Sequence, residues 1–286
     1  MNGNSYLTGI EIPSGKDKAY ENFPVGSLFV PPRLRPHVNT FYSFARAIDD
    51  IADSNSIEAP EKIERLTGFE NAILGKDKTS PGFSKAHSMR QSLEETGVTN
   101  QHCIELIKAF KQDASKLRYE NWDELIDYCQ MSAAPVGRFL LDLHGESNKK
   151  YKASDALCNA LQILNHLQDC KDDYLTLNRV YLPLDWMKNN GLEVECLDAS
   201  KSRPELKSLI HRVLDSTAEL INLAQYLPID LANKRLAMEA GAILNVASRL
   251  EKILRRKDPL AESVKLSRSQ YVLGCLFGAS KALITG

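Results

Sequence analysis

FARAIDDIADS, residues 44–54, sets three aspartates within five residues of an otherwise apolar, alanine-rich stretch with helical spacing. On a helix, residues three, four and seven apart share a face. Counting from Asp49, that face holds Tyr42, Ala45, Arg46 and Asp53, and Asp50 projects off it. Two carboxylates one turn apart repel each other unless a cation sits between them. Taken alone, the motif is also consistent with a solvated acidic helix end.

The same period runs outward through the chain. Apolar residues recur at helical spacing over 34–54, 60–74, 83–96, 99–118, 122–144, 154–174, 205–226, 230–256 and 267–284, and almost nothing alternates with period two. Polar, glycine- and proline-bearing breaks separate them, as in GKDKTSPG (75–82), GESNKK (145–150) and KNNGLEVECLDASKSRP (188–204). The expectation is an all-α chain, a single-domain helical bundle over residues 1–286 around a central cavity. Residues 1–20 are expected to be peripheral or poorly ordered. With 286 residues and 43% hydrophobic content the chain is long enough to bury one large core.

Composition removes several function classes. A formal net charge of −1, with no Lys/Arg stripe interleaved with aromatics, argues against a nucleic-acid partner. The six cysteines show neither a CxxC pair nor zinc-type spacing, which suits a reduced compartment. The N-terminal stretch lacks the basic start and apolar run of a secretory signal. The apolar stretch YVLGCLFGASKALI (271–284) spans about 14 residues, short of the roughly 20 that cross a bilayer. A cytoplasmic protein making transient contact with the inner face of the membrane is expected.

A second acidic cluster, NHLQDCKDDY (165–174), gives the first its meaning. Asn165, Asp169 and Asp173 are spaced by four, a straight helical row about 12 Å long at ~1.5 Å per residue. Oxygen donors of this kind suit Mg²⁺, a hard cation that keeps several waters and completes its shell with substrate phosphates. Two such rows facing each other would clamp a diphosphate. Asp172, off the row, either supports it or faces solvent. Arg179 and Tyr181 follow closely and could meet the diphosphate from the far side; an isolated arginine after a helix is otherwise solvated. His166 has no Cys or His partner at ligand spacing and reads as an ordinary interior or surface histidine. In DYCQMSAAPVGRFLLDLHG (127–145) small residues surround Pro135, which predicts a kink. That wall either leaves room for a ligand or packs closely on another helix.

With these motifs in view, the chain resembles the squalene/phytoene synthase family, all-α enzymes that condense two prenyl diphosphates head to head. The resemblance is carried by YSFARAIDDIAD (42–53), DYCQMSAAPVG (127–137), NHLQDCKDDY (165–174) and NRVYLP (178–183), and runs from about residue 20 to 275. ENFPVGS (21–27), RPHV (35–38), SAAPVGR (132–138) and RVYLP make it most similar to the hydroxysqualene-forming bacterial branch. Two departures stand out. Glu21, Asn22 and Phe23 replace a His-Ser-x-Ser-Phe type motif, leaving Ser27 as the hydroxyl at its end, and Gln168 stands where many relatives carry arginine. Both remove groups that handle diphosphate, which implies a site for one cyclopropylcarbinyl diphosphate.

The resemblance implies an isoprenoid synthase fold and assigns Asp49, Asp53, Asn165, Asp169 and Asp173 to metal. Arg46 and Arg179 fall to phosphate oxygens, with Ser27, Gln168 and Tyr181 as further substrate contacts. Tyr42, Asp113 and Tyr128 join Arg46 at the reacting end. It implies two or three Mg²⁺ ions bridged by diphosphate and, with a water quench, no NADPH. No G-x-G-x-x-G follows a strand, although family members that use a nicotinamide do so without that fold. The implied reaction converts presqualene diphosphate and water to hydroxysqualene, coupled to a presqualene diphosphate synthase before it and a reductase after it. Head-to-head condensation of two farnesyl diphosphates to presqualene diphosphate, squalene or dehydrosqualene is the alternative. A non-catalytic prenyl-lipid-binding partner is the alternative of another class.

Overall fold

Helix α1 (Arg35–Asp53) forms because Val38, Phe41, Phe44, Ala47, Ile48, Ile51 and Ala52 return to one face and are buried there. Pro36 lies in its first turn, where the missing N–H costs nothing. At the other end Ser54 turns extended, and the Lys62 Nζ donates to the freed Ala52 carbonyl at 2.9 Å. The computed structural model describes residues 29–285. Expectations that fall on residues 1–20, on the 21–27 motif and on Ser27 lie outside the described residues. No strand occurs among the described residues, so the all-α expectation holds. Packing divides the chain into two compact units, Met1–Lys116 and Leu117–Gly286.

In the first unit α1 packs on α2 (Ala59–Ile73), α3 (Ser84–Thr96) and α4 (Gln101–Asp113). The Phe44, Phe69 and Phe83 rings form its core, with centroids 6.2 and 5.5 Å apart along that chain. Each fully buried ring of this size contributes about 1.5–3 kcal/mol. His37 Nδ1 and Ser92 Oγ, 2.8 Å apart, tie α1 to α3, and Lys111 donates to Glu70 across α4 and α2.

The second unit comprises α5 (Trp122–Ser132), α6 (Ala134–Leu143), α7 (Tyr151–Gln168), α8 (Cys170–Leu177), α9 (Leu184–Asn189), α10 (Pro204–Ala224), α11 (Leu227–Asp230), α12 (Lys234–Leu254) and α13 (Arg268–Thr285). Helix α7 is its axis, packed by α5, α6, α10 and α12. The Trp122 and Trp186 rings stack at 5.5 Å, and the Arg212 guanidinium lies 3.9 Å over Trp186, joining α5, α9 and α10. Arg138 grips Asp155 with two hydrogen bonds, 2.9 and 2.7 Å, and also donates to Gln130 at 2.8 Å.

Three predicted helices are shorter or divided. The helix expected over 99–118 stops at Asp113. Beyond it, the backbone of 117–120 is claimed by a remote segment: Val180 N–H donates to Leu117 O at 3.0 Å and Leu184 N–H to Tyr119 O at 3.0 Å. The stretch 122–144 is two helices rather than one kinked helix, broken at Ala133 just before Pro135. Gly137 settles part of the ambiguity of that wall. A side chain there would run into Ser154 and Cys158 of α7, so this small residue serves close helix packing. The stretch 154–174 is interrupted at Asp169, which has φ −104° and ψ 9°. All six cysteines are free thiols, and among the described residues no helix is long and apolar enough to cross a membrane.

Candidate active site

On α1 the apolar stripe turns inward, leaving Tyr42, Arg46, Asp49, Asp50 and Asp53 half-buried on the rest of the helix surface. Arg46 is forked between two acids. Its Nη1 lies 3.1 Å from Asp49 Oδ2 and its Nη2 2.9 Å from Asp50 Oδ1. Asp50 therefore belongs to the cluster instead of pointing away from it, because a guanidinium spans both the i+3 and i+4 positions. The carboxylates occupy the helix's last two turns, where the backbone dipole is negative and each acid costs about 0.3–1 kcal/mol. Arg46 and the Lys62 ammonium offset part of that cost. Asp113, the last residue of α4, is buried at 3% exposure on a helix that packs against α1.

The second unit carries the other acidic group. Asn165 lies in the last turn of α7, Asp169 at the junction and Asp173 in the first turn of α8. The row is not one straight helix. Its i→i+4 ladder nevertheless survives the interruption, with Asp169 N–H donating to Asn165 O at 3.0 Å and Asp173 N–H to Asp169 O at 2.8 Å. The bridge-region backbone of Asp169 is the conformation in which many functional residues sit. Asp169 and Asp172 are exposed, and Asn165 and Asp173 are half-buried. The Gln168 amide is engaged away from the row, donating to the Val264 carbonyl ahead of α13.

Past α8 the chain reverses at Asn178, a left-handed residue with φ 51°. Arg118 fastens this turn by donating to the Asn178 carbonyl and, at 2.7 Å, to its side-chain oxygen. Arg179 N–H donates to Asp173 O at 3.1 Å. Pinned in this way, the turn delivers Arg179 and Tyr181 into buried positions, at 5% and 9% exposure.

Tyr181 joins a stack of buried rings. Its centroid is 3.5 Å from that of His166, with planes 11° apart, 5.7 Å from Tyr128 and 5.8 Å from Tyr119. Burial, reinforced by the nearby Arg179 charge, pushes the His166 imidazole down to about 3, so it is neutral at physiological pH. Its Nε2 is buried without a hydrogen-bond partner. The result is a buried stack of aromatic rings around a neutral imidazole.

Thus Tyr42, Arg46, Asp49 and Asp53 share one helix, and Tyr128, Asn165, Asp169, Asp173, Arg179 and Tyr181 share the second unit. Asp50, Tyr119 and His166 lie outside the set of residues that the sequence motifs single out. The i,i+4 relation to Arg46 is a signal for Asp50; Tyr119 and His166 are identified only by the remote rings they meet. The donor set on both rows consists of carboxylate and amide oxygens, which fits magnesium. Among the described residues no three His, Cys, Asp or Glu side chains converge into a metal cage. Magnesium is commonly held by one or two carboxylates with substrate phosphates completing its shell, so convergence of three is not required.

The squalene/phytoene synthase family model matches residues 16–270, across both units, and the chain belongs to that family. A hydroxysqualene synthase of Rhodopseudomonas palustris is 44% identical over 274 residues, 96% of this chain and 92% of that protein. One from Zymomonas mobilis is 37% identical over 276 residues, covering 96% and 92%. Among solved structures, a squalene synthase from Alicyclobacillus acidocaldarius is similar with a TM-score of 0.72 at 27% identity, covering 88% of this chain and 92% of that one. A ligand-bound dehydrosqualene synthase matches with a TM-score of 0.74 at 19% identity, covering 90% of each chain, a likeness of fold.

Proposed function

We propose that this enzyme converts presqualene diphosphate and water to hydroxysqualene and diphosphate. The observation that carries the reading is 37–44% identity, over 88–96% of the chain, to three hydroxysqualene synthases. In the reaction the carbon–oxygen bond to diphosphate breaks with its electron pair leaving on oxygen. The cyclopropylcarbinyl cation opens its ring, water adds to the resulting cation, and one proton is lost.

Asp49 and Asp53 make one magnesium-binding row, and Asn165, Asp169 and Asp173 the other. Magnesium, when bound, neutralises charge on the departing diphosphate. Arg46 and Arg179 add fixed positive charge toward phosphate oxygens; Arg179 is buried, where a preorganised charge counts most. Tyr128 and Tyr181, backed by Tyr119 and neutral His166, offer ring faces to the carbocation. Tyr42 and Asp113 are the remaining polar groups for orienting substrate or water, and Gln168, already bound to Val264, borders the second row. Ser27 completes the substrate-binding set. The substrate is supplied by a presqualene diphosphate synthase and the alcohol is consumed by a reductase, in the cytoplasm at the inner membrane face.

The test is to supply presqualene diphosphate in ¹⁸O-labelled water, with and without NADPH, and analyse the extracted triterpene by mass spectrometry. Labelled hydroxysqualene in equal amount under both conditions is expected, with no turnover of farnesyl diphosphate alone. Squalene formed only with NADPH, or consumption of farnesyl diphosphate, replaces this reading by head-to-head condensation. Binding of either lipid without diphosphate release in magnesium buffer replaces it by the non-catalytic class.

A further inference from the structure

Helix α13 is built inside out. Its small residues Gly274, Gly278, Ala279 and Ala282 are buried, and its large apolar residues face outward. Leu273, Leu276 and Phe277 are 60%, 58% and 59% exposed and Ile284 is 85% exposed, with Val272 and Leu283 about half exposed beside them. At 100° per residue these six positions fall within one sector about 140° wide, an apolar stripe interrupted by exposed Ser280. The inward face explains the arrangement. Gly278 lies so close to the Gly241 backbone of α12 that neither position has room for a Cβ, so the large residues have only the outer side to occupy. Helix α11 packs against both α12 and α13 and adds exposed Ile229, between exposed Tyr226 and the exposed carboxylate of Asp230.

We infer that the outer face of α13 docks on an anionic lipid bilayer, lying in the plane of the headgroups with Leu273, Leu276, Phe277 and Ile284 in the acyl boundary. Charge selects this occupant. From Ser263 to the C-terminus the chain carries Lys265, Arg268 and Lys281 and no Asp or Glu. Cations flanking an apolar stripe match anionic headgroups. A second copy of the helix fits poorly, because a two-fold contact sets the same three cations against one another. The stripe from Val272 to Ile284 covers about 18 Å at ~1.5 Å per residue, which suits a helix lying on a membrane. Gln168, next to the acidic row of α7–α8, donates to the Val264 carbonyl, so the segment leading into α13 is tied to the helix that carries Asn165. This inference rests on the proposed function only for the lipidic character of substrate and product.

The test is sedimentation of the full-length chain with phosphatidylcholine vesicles with and without 30 mol% phosphatidylglycerol, together with its mass in solution by light scattering. Binding to the anionic vesicles, weakened at least about 10-fold in Leu276→Ser/Phe277→Ser and reduced by salt, is the expected result. Diphosphate release from detergent-dispersed substrate stays unchanged in that variant. As a second readout, Phe277→Trp emission, after subtraction of the wild-type signal, shifts to the blue on anionic vesicles and is quenched by brominated lipid. A dimer that the Leu276→Ser/Phe277→Ser change splits, without vesicle binding, overturns the inference in favour of a second copy. A monomer that ignores vesicles, or binding that the change leaves intact, overturns it as well. Because binding is read without turnover, failure here is distinct from failure of the proposed reaction.

Discussion

Asp49 and Asp169 are the single residues on which the proposed chemistry rests most. Both are placed where a carboxylate does little for the fold: Asp49 near the negative end of α1, and Asp169 exposed at a helix interruption with no side-chain capping hydrogen bond. We propose that metal and diphosphate account for both positions. Asp49→Asn and Asp169→Asn are each expected to lower turnover at least ~100-fold, a loss of roughly 2.7 kcal/mol of transition-state stabilisation. Far-ultraviolet circular dichroism is expected to be unchanged, since neither side chain is part of the core. Near-normal turnover in either variant removes that aspartate from the magnesium-binding set. His166 differs in kind. It lies face to face with Tyr181 at 3.5 Å, in the stack that also holds Tyr128 and Tyr119.

At the scale of elements, glycine decides which helices approach closely. The α12–α13 crossing brings the backbones of Gly241 and Gly278 together, so any added carbon meets main chain that cannot rotate away. Gly278→Val is expected to cost roughly 1–3 kcal/mol, the usual range for overpacking a well-filled interface. Urea denaturation followed by circular dichroism measures the loss, and an unchanged midpoint refutes the close crossing. Four residues after Gly274, the same helix places Gly278 on its inner face, so the periodicity that seats α13 on α12 also turns Leu273 and Phe277 outward.

At the scale of the molecule, acid resistance is expected to depend on carboxylates held ionised. Hydrogen bonds from Ser80 hold Asp77 down to about 2 in the first unit. In the second, burial works against ionisation of Glu146, but hydrogen bonds from Lys150 and the Asn233 and Ala232 backbones prevail and hold it below its ordinary 4.5. Asp258 is likewise disfavoured by burial and held low overall by Ser202 and Leu260. A carboxylate depressed in the folded state contributes stability above its unfolded value, and that contribution disappears as pH falls through the folded value. Urea midpoints are therefore expected to be flat in this contribution from pH 7 to about 5 and to decline below about 4.5. Glu146→Gln/Asp258→Asn is expected to be less stable at pH 7 and to show a shallower decline between pH 5 and 3. A decline as steep as the parent's shows that other groups control acid unfolding.

The helical class, the spacing of two acidic groups and the family resemblance were all legible in the chain, because a 3.6-residue period and a four-residue carboxylate spacing are local properties. Periodicity assigns a residue to a face without naming what that face meets. Tertiary structure alone ended α4 at Asp113, where residues 117–120 give their carbonyls to the 180–185 segment. It interrupted the second acidic row at Asp169, whereas the division at Ala133 is the local effect of Pro135 carried from a kink to a full break. It drew Asp50 to Arg46 and placed His166 against Tyr181, pairings that depend on side-chain reach and on residues 15 positions apart in sequence meeting through a turn. It also determined that α13 presents its large residues outward. The amino-acid pattern marks one apolar and one small-residue side, and only the close approach of Gly241 and Gly278 determines which of them is buried.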